Sequence, residues 1–318
     1  MTDWAVPPLK DDPQPTVPGA VQPPVQPRPL DGNRAALLLL LTQNVVTLLL
    51  ASWAKLPLGL SLGLSFVATG LLALLLLRPA LQRLTQDSRW RTPPAILTAL
   101  GALTLGVIAS RGILLFVQSV APQSLGQINQ FQTLGWDRYA LLIAGGLLIP
   151  FAEEVAFRGL LLRGYESARG PLFAALASSL LFAFAHGVPA QIAAILPIAW
   201  VLARAAQASG SFWTGVVIHA LNNFFSLLLA VLLSGSKLMA QAQKELENMK
   251  ALPLGFGLAG LLVAAACMFV ATLWLRPRAD IPAPVGGRVV SGSLVVLLIL
   301  ILVVLAGQFL PLGALLGR

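Results

Sequence analysis

Nine runs of apolar residues, at roughly 35–54, 56–77, 95–118, 138–162, 172–187, 191–207, 211–233, 254–275 and 291–311, dictate most of what this chain can become. Hydrocarbon offers a peptide group no hydrogen-bond partner. A run of about 20 apolar residues therefore crosses a bilayer as a helix, which satisfies its backbone internally. Only 10% of the 318 residues are charged, whereas a soluble domain carries about 25%. The expected fold class is all-α, a polytopic transmembrane helix bundle of about eight or nine spans. The count depends on how the 172–207 region is divided. Gly145, Gly146, Pro150 and Pro197 lie inside these runs and are tolerated where neighbouring helices recover the freed backbone groups.

The formal charge of +9 does not point to nucleic acid, because the basic residues are scattered through short loops. They orient the chain instead. With the N-terminus inside, fourteen Lys and Arg fall on the inner side and six on the outer, with Arg111 within a span. That bias predicts a multi-pass integral membrane protein with a cytoplasmic N-terminus, in the cell membrane if the source is prokaryotic. Cys267 is the single cysteine and reads as a small buried apolar group. Residues 1–34, rich in proline, read as a disordered cytoplasmic tail rather than a secretory leader. N-terminal transmembrane helices follow over 35–137, a core over 138–233, and C-terminal helices over 234–318. The last region opens with an outer amphipathic connector at 234–253, where Leu238, Ala242, Leu246 and Met249 recur at helical spacing.

Within this apolar frame the polar residues stand out. Glu153 and Glu154 are the only acids among twelve that this assignment places inside a span, and an ionisable group there costs about 2.5–3.5 kcal/mol. Four residues separate Glu154 from Arg158, so the two share a helix face and pair. Glu153 points about 100° away, free for other work. Downstream, Phe182 and His186 share a face, and so do His219 and Asn223. Each feature alone has a structural explanation: an interhelical knot, a satisfied interior histidine, a hydrogen bond worth about 0.6 kcal/mol in membranes. Together they place the two intramembrane carboxylates and both histidines of the chain in three neighbouring helices.

In order and spacing, Glu153-Glu154-x-x-x-Arg158, Phe182-x-x-x-His186 and His219-x-x-x-Asn223 resemble the three motifs of the CPBP intramembrane proteases, which include the type II CAAX prenyl endopeptidases and Abi-like relatives. The resemblance implies an endopeptidase with its catalytic core at 138–233. Glu153 would be the general base, His186 would orient the attacking water, and His219 and Asn223 would stabilise the oxyanion. Glu154 and Arg158 would be the supporting pair. Chemistry points the same way: peptide hydrolysis needs a base tuned toward neutrality and fixed donors where negative charge develops.

No cofactor is the preferred expectation. Zinc held by Glu153, His186 and His219 is the alternative, although the His-Glu-x-x-His pattern is missing. The expected partners are membrane lipids and a peptide or protein substrate, membrane-associated or lipidated. Bacteriocin processing and self-immunity are also linked with the family. A non-catalytic scaffold or immunity protein and a proton-coupled transporter remain as rival readings. One geometric difficulty stands. Counted at 1.5 Å per residue from opposite membrane faces, Glu153 lies about 22 Å down and His186 about 21 Å up. In a layer about 30 Å thick they meet only if the helix bearing His186 starts below the membrane surface or if helices tilt strongly. A hydrated cavity on the cytoplasmic side is the expected solution.

Overall fold

Eleven helices form the described part of a computed structural model, which covers residues 26–127, 135–237, 241, 244, 250–278, 281 and 284–309. In chain order they are α1 (Pro29–Leu48, continued by a π turn to Trp53), α2 (Leu58–Leu76), α3 (Arg78–Gln86), α4 (Ser88–Arg91) and α5 (Ile96–Val120). Then come α6 (Asp137–Arg169), α7 (Pro171–Phe184), α8 (Pro189–Ser209), α9 (Phe212–Leu233), α10 (Leu254–Trp274) and α11 (Gly292–Phe309). Seven of these, α1, α2, α5, α6, α8, α9 and α10, are long and apolar enough to cross a membrane. The shorter apolar helices α7 and α11 account for the other two expected segments. The chain is an all-α polytopic bundle and an integral membrane protein.

The hairpin of α6 and α7 settles the depth problem. With 33 residues, α6 spans about 50 Å, well beyond the apolar layer. Part of α6 therefore lies beyond that layer, and its apolar run ends at Leu162, before the charged last turns. The hairpin turns at Gly170, whose φ of +87° suits glycine, and Pro171 opens α7 with a φ already set for a helix. In an antiparallel pair, residues equidistant from the turn face each other. Glu153 lies 17 residues before Gly170 and His186 lies 16 after it. Counting from the turn rather than from the membrane faces brings them to one level.

Below that level the sequence reading needs correction. Arg89, Arg163 and Arg204 do not sit in solvated loops but are buried. Arg163 donates to Asp87 Oδ2 through Nη2 at 2.8 Å and to Glu166 Oε2 through Nη1 at 2.8 Å. Arg89 meets Glu166 at 3.0 Å, and burial pulls its guanidinium down from the ordinary value against the opposing pull of Glu166. Gln207 joins the network by donating to Glu166 Oε1 and to the Pro171 carbonyl, and accepts from Arg204. Glu166 and Asp137 also belong to the continuous helix α6, so Glu153 and Glu154 are not its only acids. Asp137 does a different job, accepting from the Gly59 and Leu60 N–H groups that open α2.

The tail expected to be disordered to residue 34 is ordered from residue 26, and helical from Pro29. Polar side chains find distant partners there. Asp31 pairs with Arg83 at 3.1 Å, and Asn33 donates to the Val289 carbonyl and accepts from Tyr165. Gly32 lies so close to the Leu161 backbone that no Cβ fits. Residues 1–25 and half of the 234–253 connector, including Leu238, Ala242, Leu246 and Met249, lie outside the described residues. Arg111 is exposed on α5 and pairs with no described carboxylate, consistent with snorkelling.

Removing Glu166 leaves Arg89 and Arg163 buried with one acid, Asp87, between them. Glu166→Ala is expected to cost about 3–5 kcal/mol, read as a fall in the unfolding midpoint of detergent-solubilised protein. Arg91→Ala, at an exposed position, should leave that midpoint within about 0.5 kcal/mol of the parent.

Candidate active site

Pro150 shapes the start of the site. Upstream of it α6 widens into a π turn at Ala144–Leu148, with the Ile149 N–H on the Ala144 carbonyl five residues back. The next donor in that register is Pro150, which has no N–H. The Gly145 carbonyl that it leaves takes the Asn223 amide of α9 instead, at 3.5 Å. A second π stretch, Val155–Leu162, follows at once. The two acids thus sit on six residues of α-helix, Ile149–Glu154, between two widened turns, an irregularity often found at functional sites.

Glu154 is fully buried, and its Oε1 accepts twice. Arg158 Nη1 donates from 2.9 Å and His219 Nδ1 from 2.9 Å. A carboxylate only accepts, which assigns the Nδ1 proton to the histidine. The other oxygen, Oε2, has no hydrogen-bond partner among the described residues and lies against Gly215, where a Cβ would come within 2.7 Å of it. Arg158 is itself held twice more. Its Nη2 donates to the Ala199 carbonyl at 3.2 Å, and its guanidinium lies 4.3 Å over the Phe182 ring, a contact worth about 2 kcal/mol when desolvated.

Glu153 is the more open of the two carboxylates, 14% exposed against 0% for Glu154. Its one described polar contact is His219 Nε2, 3.5 Å from Oε2. That distance is too long for a good hydrogen bond. His186 donates from Nδ1 to the Phe182 carbonyl at 2.9 Å, since a carbonyl can only accept, and this leaves Nε2 as the lone-pair nitrogen of a neutral ring. The Phe182 ring packs edge-on against both imidazoles, at 5.0 Å from His186 and 5.4 Å from His219.

Five of the six residues singled out from the sequence therefore converge: Glu153, Glu154, Arg158, His186 and His219. Asn223 sits one turn along α9 from His219 and is turned toward Gly145, with its Oδ1 accepting from Asn222 at 3.1 Å. Among the described residues, no three His, Cys, Asp or Glu side chains are grouped as metal ligands. Both Nδ1 atoms are committed to protein acceptors, which leaves the Nε2 atom of each ring outside those bonds.

Residues 135–225, from the turn before α6 into α9, match the family described as Type II CAAX prenyl endopeptidase Rce1-like. The matched region is similar to the CPBP intramembrane proteases, the family that the three motifs resemble. The match spans all three motifs and supports a CAAX-type intramembrane protease in general terms. Helices α1–α5, α10 and α11 lie outside it. No curated protein and no solved structure matches the chain.

The motif reading passed over Gly215, Ala199 and Asn222. The Ala199 contact is made by a carbonyl and leaves no side-chain signature. Gly215 is four residues before His219 and so shares its face, a spacing that could have marked it. Gly215→Ala should still fold, because the atom that the added Cβ meets is the end of the Glu154 side chain rather than backbone. It should displace the carboxylate from His219, lower peptide cleavage at least tenfold, and lower the unfolding midpoint as well, because the buried charge loses one of its two donors.

Proposed function

We propose that this chain is an endopeptidase that cleaves a peptide bond in a membrane-associated or lipidated polypeptide with water activated by Glu153. The observation that carries this reading is the pair of unequal carboxylates. Glu154 is sealed and shared between Arg158 and His219, while Glu153 is open and faces His219 Nε2.

Two carboxylates face one guanidinium, which leaves one negative charge uncompensated in a low-dielectric region. A lone pair on His219 Nε2 facing a carboxylate would add repulsion. In the proposed mechanism His219 works as the imidazolium, donating from Nδ1 to Glu154 and from Nε2 toward the reaction centre. Glu154 thus acts on His219 as a buried acid acts on a catalytic histidine, fixing its orientation and stabilising its charge.

The steps follow from these roles. Water lying against Glu153 and the free Nε2 of His186 gives a proton to Glu153 as its oxygen attacks the carbonyl carbon. The resulting oxyanion accepts from His219 Nε2–H and from the Asn223 amide, whose 3.5 Å contact with Gly145 is weak enough to exchange. Fixed donors of this kind are worth about 3–4 kcal/mol each. As the intermediate collapses, the C–N bond breaks and Glu153 returns its proton to the leaving amine. With the arginine-rich end of the bundle toward the cytoplasm, as the positive-inside rule favours, the site would be reached from the cytoplasmic side.

Glu153→Gln keeps shape and size but cannot take a proton. It should reduce cleavage of a membrane-peptide library by 10²-fold or more with no change in unfolding midpoint. Equal inertness of parent and variant across broad substrate panels would favour a non-catalytic scaffold. Proton-coupled uptake into liposomes without peptide product would favour a transporter.

A further inference from the structure

A groove between α7 and α11 lies apart from the catalytic residues, and one of its walls is outside the family-matched core. Phe173, Ala177 and Leu181 of α7 form one side, Leu294 and Leu298 of α11 the other, and Tyr165 the floor, around a volume of about 510 Å³. Its walls are wholly apolar. The gap persists because α11 is held at both ends. The chain leading into it is pinned by Val285 N–H on the Ser167 carbonyl and by Asn33 Nδ2 on the Val289 carbonyl and Ser291 Oγ. Further along, Val304 packs against Gly187 at the far end of α7. Between these fixed points the two helices stay apart.

The surroundings specify the occupant. Leu172, Leu176 and Leu180 of α7 and Ile299 and Leu302 of α11 are exposed beside the groove, so it opens onto an apolar surface that faces lipid. One end of the groove is bordered by Arg169, which is exposed and has no acidic partner among the described residues. Arg169 lies at the arginine-rich end of the bundle, where phosphate headgroups are at hand. We infer that the groove seats one acyl chain of an anionic phospholipid, with its phosphate on Arg169. The hydrocarbon fills a gap that side chains leave open, and the single cation selects headgroup charge.

The test uses the full chain, delipidated in detergent and titrated separately with phosphatidylglycerol and phosphatidylcholine of identical acyl chains, read by native mass spectrometry. One phosphatidylglycerol per chain should bind about fivefold more tightly than phosphatidylcholine, the effect of one basic residue near a membrane surface. Arg169→Gln should abolish the preference while chain binding persists. Ala177→Trp, which fills the groove, should abolish both, and Leu298→Trp makes the same test from the opposite wall if Ala177→Trp fails to fold. Arg91→Gln, another exposed arginine away from the groove, should change nothing. Equal retention of the two lipids overturns the inference, as does a preference that survives Arg169→Gln or a groove buried by a second copy of the chain in cross-linking. None of these outcomes depends on whether the chain cleaves peptides.

Discussion

One buried carboxylate holds the centre of this molecule together. Glu154 is removed from solvent, and its charge is tolerable only because Arg158 and His219 both donate to the same oxygen. The constraint radiates outward. Arg158 reaches the α8 backbone at Ala199 and lies over Phe182 of α7. His219 and Gly215 bring in α9. A single ion pair on α6 thereby fixes three other helices, in surroundings where apolar packing between helices has little hydrophobic drive of its own.

The second, larger cluster of charge serves a different end. Asp87, Arg89, Arg163, Glu166, Gln207 and Arg204 tie α8 and the short segment around α4 to the last turns of α6. Its cations outnumber its anions, whereas the region of Glu153, Glu154 and Arg158 has more acid than guanidinium. The two sets lie on one helix, with Arg158 and Arg163 five residues apart. The lower set fastens the bundle near the turn between α6 and α7, and the upper set sits farther from that turn.

How much of this could be read from residues alone depended on the kind of signal. Helix–strand ambiguity vanished because hydrocarbon permits so few backbone arrangements. The convergence of Glu153, His186 and His219 was legible because each is a costly residue in an apolar run. Their depths were not. Measuring from the membrane faces separated Glu153 from His186, since nothing in an apolar run marks where lipid ends, and only the turn at Gly170 supplies the correct origin. Arg163 and Arg204 looked like loop charges because a count of basic residues cannot see burial. Asn33 and Asp31 looked like tail residues because their partners, Tyr165, Val289 and Arg83, are far away in sequence. Contacts through carbonyls, such as those of Ala199 and Gly145, leave no trace in side-chain identity.

The hairpin at Gly170 works as a ruler. Because Glu153 and His186 are placed by nearly equal arms measured from one bend, the length of each arm matters as much as the chemistry at its tip. One residue added anywhere between Arg163 and Phe182 would advance one arm by about 1.5 Å and swing its tip through about 100°. A chain built on this device tolerates change on its surface but not in its arithmetic: insertions and deletions belong in the flanking helices and not along the two arms.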